Sequence, residues 1–90
     1  MEQDVDAFLE YLTGEKGYSR NTLAAYRNDL NQMTAFIKAE KTKGIIESYD
    51  ELLKSYVLNL RERKYSLATA ARKVASAKSL FKFMVNSGKL

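Results

Sequence analysis

Apolar side chains recur along most of this chain at three- and four-residue intervals, the spacing that lines one face of an α-helix. Val5, Phe8, Leu9 and Leu12 form the first stripe. Leu23, Tyr26, Leu30, Met33 and Ile37 form the second, sustained over about four turns. Leu52, Leu53, Tyr56, Val57 and Leu60 form the third, and Ala70, Val74, Ala77, Phe81 and Met84 the fourth. The pattern predicts a first helix ending at Gly14, with Asp4 and Asp6 near its N-terminus where negative charge is favourable. A second runs from a Ser19 cap to about Ala39. A third is capped by Ser48 or Asp50 and leaves through Glu62 to Lys64. A fourth spans Ser66 to about Asn86, stopped near Gly88. Lys41-Thr42-Lys43-Gly44 reads as an exposed loop, after which Ile45, Ile46 and Tyr49 are expected to fold back onto the core. Ala70, Ala71, Ala75 and Ala77 would let another helix approach closely. The expected fold is all-α, a four-helix bundle of two helical hairpins.

The polar positions contain a repeat. Tyr-Ser-x-x-Thr occurs at Tyr18–Thr22 and again at Tyr65–Thr69, each copy opening a long amphipathic stretch. Serine is a good helix N-cap because its hydroxyl accepts an otherwise orphaned backbone N–H. The repeat therefore predicts two helices that begin alike, with Arg20 and Arg27 on one and Arg72 and Lys73 on the other. A helix N-terminus carries free N–H groups and partial positive charge, which suit a phosphate.

Composition narrows the class. Ninety residues, 46% of them hydrophobic, make one domain with a modest core. There is no cysteine, so no disulfide, and the expected compartment is the cytoplasm. No apolar run is long enough to span a membrane. The net charge of +4 is mild, but its distribution is not. Met1 to Glu15 holds Glu2, Asp4, Asp6, Glu10 and Glu15 and no base. Arg63 to Leu90 holds Arg63, Lys64, Arg72, Lys73, Lys78, Lys82 and Lys89 and no acid. A polyanion would meet the C-terminal half first.

Candidate chemistry is sparse. Without histidine or cysteine, the usual zinc, triad and thiol sites are excluded. Glu47, Asp50 and Glu51 sit near a helix start, where they serve capping. The glycines do not cluster into a phosphate loop. Tyr11, Tyr26, Tyr49 and Tyr56 lie on or near the stripes and belong to core or rim, not to a tyrosine nucleophile. Lys38, Lys41 and Lys43 read as a solvated cluster. What remains are two polar faces. On the second helix Arg20, Asn21, Ala24, Arg27, Asn28 and Asn31 lie away from the stripe, and arginine and asparagine read base edges as well as phosphates. On the fourth, Thr69, Arg72, Lys73 and Ser76 are expected to share the face opposite Val74 and Phe81. The rival to DNA binding is a protein-interaction bundle with a basic docking face, Phe83 and Val85 forming an apolar patch.

The motifs in order resemble the N-terminal core-binding domain of tyrosine recombinases and phage integrases, from about Val5 to Leu90. Phe8-Leu9-x-Tyr11-Leu12 is similar to the family's first helix. Tyr18-Ser19-x-Asn21-Thr22-Leu23-x-x-Tyr26-x-x-Asp29-Leu30 is similar to its most recognisable run. Ser66, then Ala77-Lys78-Ser79-Leu80-Phe81-Lys82-Phe83-Met84, resembles the last helix, and Asn86 to Leu90 the start of an interdomain linker. The resemblance implies a SAM-like bundle. Two crossing helices of such a domain contact the major groove of double-stranded DNA beside the strand-exchange site. The implied DNA-binding residues are Arg20, Asn21, Thr22, Arg27, Ser66, Thr69, Arg72, Lys73 and Ser76. At Ala70 or Ala71, where many relatives are basic, no contact is expected. The resemblance also implies that residues 1–90 are one part of a larger recombinase, DNA-binding and not itself an enzyme, needing no cofactor. Its further partners would be a C-terminal catalytic domain and other recombinase protomers, with no membrane involved.

Overall fold

The structure, a computed structural model, describes residues 2–44 and 48–89. Four helices follow one another: α1 (Glu2–Gly14), α2 (Arg20–Lys43), α3 (Tyr49–Glu62) and α4 (Leu67–Asn86). Three starts are serine caps. Ser19, Ser48 and Ser66 accept hydrogen bonds from the backbone N–H groups of Thr22, Glu51 and Thr69. The exit of α4 is a Schellman turn: Gly88 at φ +74° lets its N–H reach Val85 and the Lys89 N–H reach Met84. Expectations for Ile45, Ile46 and Glu47 fall outside the described residues.

The second helix runs one turn further than its periodicity indicates. Lys41 to Lys43 are helical, not looped. Lys41 and Lys43 place positive charge on the last turn, where the helix dipole favours it. Lys43 pairs with Glu40 at 3.2 Å, and the Thr42 hydroxyl donates to the Lys38 carbonyl at 2.9 Å. The helix stops where backbone geometry stops it, at Gly44 with φ 70°. Beyond it, Lys41 Nζ donates to the Tyr49 hydroxyl at 3.2 Å and lies over that ring, tying the end of α2 to the start of α3.

The α1–α2 and α3–α4 hairpins meet through α2 and α4, which form the central pair. Among the described residues α1 packs on α2 and α4, and α3 packs on α2 and α4, while α1 and α3 do not touch. The Cα atoms occupy 37 × 33 × 16 Å, which is two helix layers at a spacing of about 8–10 Å. The core is Val5, Phe8, Leu9 and Leu12 from α1; Leu30, Met33 and Ile37 from α2; Leu52, Tyr56 and Leu60 from α3; and Ala77, Leu80, Phe81 and Met84 from α4. Leu23, Tyr26, Tyr49, Leu53 and Val74 close its edges.

The inward face of α4 is broader than the expected one: Ala77, Phe81 and Met84 are core as predicted, and further positions join them. Lys73, Ser76 and Leu80 are buried, while Val74 is half-buried and Ala71 and Ala75 are exposed. Two polar residues therefore stand where an apolar count places solvent. Phe83 also departs from expectation. Its ring packs on Phe8 at 5.4 Å and Tyr11 at 5.3 Å, leaving Val85 exposed without it.

Candidate nucleic-acid interface

The repeated pentapeptide has a local structural basis. In each copy the serine hydroxyl accepts from the backbone N–H of the threonine three residues on, at 3.2 Å. In each copy it also donates to that threonine's hydroxyl, at 3.0 Å. Ser19 and Ser66 thus use their own O–H within the cap, and the threonine O–H remains as the free donor. A ligand at either helix start would meet Thr22 or Thr69 together with the N–H groups of the first turn. Ser19, Arg20, Asn21, Thr22 and Ser66 are exposed, and Thr69 is half-buried.

The outer face of α2 is accessible as expected, but it is not uniform. Arg20, Asn21, Ala24, Arg27, Asn28 and Asn31 are all exposed. Arg27 lies on the side toward α1, and its Nη1 pairs with the Asp6 carboxylate at 3.1 Å. That pair is exposed on both sides, so it is weak and salt-sensitive. Asn21 and Asn28, seven residues apart, lie on one line along the helix. Asn28 adjoins Asp29, where α4 crosses.

The crossing is built on a charge cluster. Asp29 is 1% exposed and receives two cations from α4. Arg72 donates from Nε at 2.9 Å and Nη2 at 3.1 Å, one carboxylate oxygen each. Lys73 donates from Nζ to Asp29 at 2.9 Å and to the Gln32 side-chain oxygen at 2.7 Å. Gln32 in turn donates to the Tyr65 hydroxyl at 2.9 Å. A buried carboxylate needs such partners, because desolvating an isolated charge is prohibitive.

This corrects the expected set on α4. Lys73 is 5% exposed and Ser76 is 1% exposed, with the Ser76 hydroxyl donating to the Lys73 carbonyl. Neither faces solvent, so both leave the candidate DNA face. Their burial is tolerated because each has a polar partner inside. Arg72 stays on the face, its side chain 52% exposed. The outer side of α4 instead presents Ala68, Ala71, Ala75, Lys78 and Lys82, exposed and with no acid on the helix. Lys78 and Lys82 were visible as part of the acid-free stretch. Neither Asp29 nor Gln32 belongs to an apolar stripe, although Asp29 lies between Tyr26 and Met33 at helical spacing, a signal that it points inward.

Two tyrosines flank the cluster with opposite shifts. Burial, then the Asp29 charge, pushes the Tyr56 hydroxyl up to about 12. Among the described residues that hydroxyl is the one buried side-chain polar atom without a partner. The Tyr65 hydroxyl is lowered, chiefly by the Gln32 amide and then by Lys73 and Arg63. Asp29 raises the Arg72 guanidinium further, so Arg72 is charged at any working pH. Among the described residues no group of carboxylates is placed to hold a metal ion, and no helix is long and apolar enough to cross a membrane.

Comparison with known proteins agrees with this architecture. The family described as "Phage integrase, N-terminal SAM-like domain" matches residues 5–88. The chain is similar to Tyrosine recombinase XerC of Roseiflexus sp. (strain RS-1), 44% identical over 98% of this chain and 28% of the relative. It is similar to Tyrosine recombinase XerC of Herpetosiphon aurantiacus, 42% identical over 93% of this chain and 28% of the relative. Tyrosine recombinase XerD of Rhizobium meliloti is 30% identical over 93% of this chain and 27% of the relative. The chain thus spans little more than a quarter of the length of these relatives. No solved structure is a significant match.

Proposed function

The chain belongs to the phage integrase N-terminal SAM-like domain family, and on that premise we propose that it is the DNA-binding module of a tyrosine-type site-specific recombinase. It would grip the major groove of duplex DNA beside the strand-exchange site. The observation that carries this reading is the crossing at Asp29, which joins the acid-free α4 to α2, whose outer face is rich in arginine and asparagine. Arg72, Lys78, Lys82 and Arg20 would neutralise phosphates. Thr22, Thr69 and the first-turn N–H groups would fix register, and Asn21 or Asn28 would reach base edges. Small Ala24, Ala71 and Ala75 would let both backbones come close to the groove. Strand cleavage would belong to a catalytic domain outside these residues, and other recombinase protomers would be partners at the synapse.

An NMR titration of the labelled chain with a short duplex, at low and at moderate salt, tests this. Shifts concentrated at residues 20–31 and 66–72, weakening with salt, are expected. Absence of shifts even at low salt would refute DNA binding. The apolar patch of the protein-docking alternative is reduced to Val85, since the Phe83 ring packs on Phe8 and Tyr11.

A further inference from the structure

The charge count at the α2–α4 crossing is uneven. Lys73 and Asp29 are both buried and in contact, so they already form a neutral pair. Arg72 brings a second positive charge to the same carboxylate, and that charge is half-exposed. The fork through Nε and Nη2 uses one edge of the guanidinium. Arginine has five N–H donors in a planar array, so the Nη1–Nη2 edge is left as a second full fork, with no partner among the described residues. Arg20, Lys78 and Lys82 are also exposed, but no hydrogen bond or ion pair within the described residues holds them in place. Of these four, Arg72 is the cation whose direction is set before any ligand arrives.

We propose that Asp29 is a positioning residue that holds Arg72 as a fixed, bidentate anchor for one backbone phosphate of the duplex. This rests on the DNA-binding reading above. A preorganised guanidinium loses less side-chain freedom on binding than a free lysine does, so it places the phosphate as well as attracting it. A phosphate, not a guanine, is the expected ligand. Thr69, whose hydroxyl hydrogen is free, stands one helical turn before Arg72, and a helix N-terminus favours an anion. Lys73, in contact with the Asp29 carboxylate at 2.9 Å, supplies it with a counter-charge whether or not Arg72 is engaged.

The test uses the whole chain and two short duplexes of unrelated sequence, with affinity measured by fluorescence anisotropy across a salt series. Arg72→Gln removes charge and fork; Arg72→Lys keeps the charge and removes the fork. Asp29→Asn combined with Lys73→Met removes the holding carboxylate without stranding a buried lysine. Circular dichroism and thermal melting verify that each variant is folded. Arg72→Gln should weaken both duplexes equally, by roughly tenfold, and reduce the salt slope by about 0.9. Arg72→Lys should lose several-fold with the salt slope kept. In the Asp29→Asn/Lys73→Met background that Arg72→Lys loss should disappear, a coupling that a purely structural role for Asp29 would not produce.

If Arg72→Gln binds as the parent does while Arg20→Gln is impaired, DNA binding stands and the anchor is refuted. An undiminished Arg72→Lys loss in the double-variant background removes Asp29 from the role. A loss confined to one duplex would assign Arg72 to a base and overturn the phosphate contact. If the parent chain binds neither duplex at low salt, the DNA-binding reading falls, and this proposal with it.

Discussion

Asp29 is the residue on which the central helix pair depends. Its carboxylate joins α2 to α4 through Arg72 and Lys73, and its own burial is tolerable only because of them. Asp29→Ala leaves the Lys73 ammonium buried and unpaired, and should destabilise the chain by about 3–5 kcal/mol in urea unfolding. Asp29→Asn with Lys73→Met should recover most of that, because no uncompensated charge remains inside. Tyr56 gives a pH-dependent counterpart. Its folded pKa, about 12, lies above the ordinary tyrosine value of 10.0. Stability from this group is therefore complete below pH 10 and is lost as pH rises toward 12. The loss should reach about 2–3 kcal/mol, and Tyr56→Phe should abolish that part of the alkaline slope in a thermal-melt series. Because the hydroxyl has no partner, the same substitution should not lower stability at neutral pH. Neither behaviour was legible at the residue level. Tyr56 was expected in or beside the core, where it lies, but its orphaned hydroxyl depends on what surrounds it. Asp29 stood in a recognised run without a role, since its partners are more than forty residues away.

At the scale of elements, caps and glycines decide where helices begin and end. The two Tyr-Ser-x-x-Thr starts share one geometry, so Ser19→Ala and Ser66→Ala should each cost about 1 kcal/mol in chemical denaturation. The repeat is thus accounted for by capping alone, and any ligand role at these starts is additional to it. The apolar stripes of α1, α2 and α3 lie inward much as their spacing predicts, although α2 also buries Asp29 beside its stripe. On α4 the stripe is core at Ala77, Phe81 and Met84, but the polar face expected opposite it is partly buried. Lys73 and Ser76 count as polar, yet each finds a partner inside, and a hydropathy pattern cannot register a partner on another helix. The end of α2 shows the opposite error. A polar Lys-Thr-Lys run looks like a loop, but charge at the last turn and a left-handed Gly44 extend the helix through it. Between α1 and α2, Asp6 holds Arg27 away from a free role. Asp6→Asn should therefore raise DNA affinity several-fold at low salt in an anisotropy titration. It should change stability by no more than about 0.5 kcal/mol, since the pair is exposed.

For the whole molecule, charge is the property a nucleic acid would sense first. If roughly four to six phosphates are contacted, log K should fall with log salt at a slope of about −4 to −5. A near-zero slope in salt-dependent anisotropy would mean that the basic face is not the binding surface. The acid-rich α1 and acid-free α4 give the molecule a direction, and that direction was already written in the order of charges along the chain. By itself the sequence determined the helix number and class, most of the inward-facing residues, the Ser19 and Ser66 caps, the stop near Gly88 and the family. All of these follow from local spacing, capping chemistry or motif order, which act within a few residues or are read directly from the string. Only the tertiary structure decided that α2 and α4 are the central pair, that Lys73 and Ser76 are inside, and that Arg27 is engaged by Asp6. It alone left Arg72 as a fixed surface cation. Those outcomes depend on pairing between helices, where a buried charge is acceptable or forbidden according to a partner that sequence distance conceals.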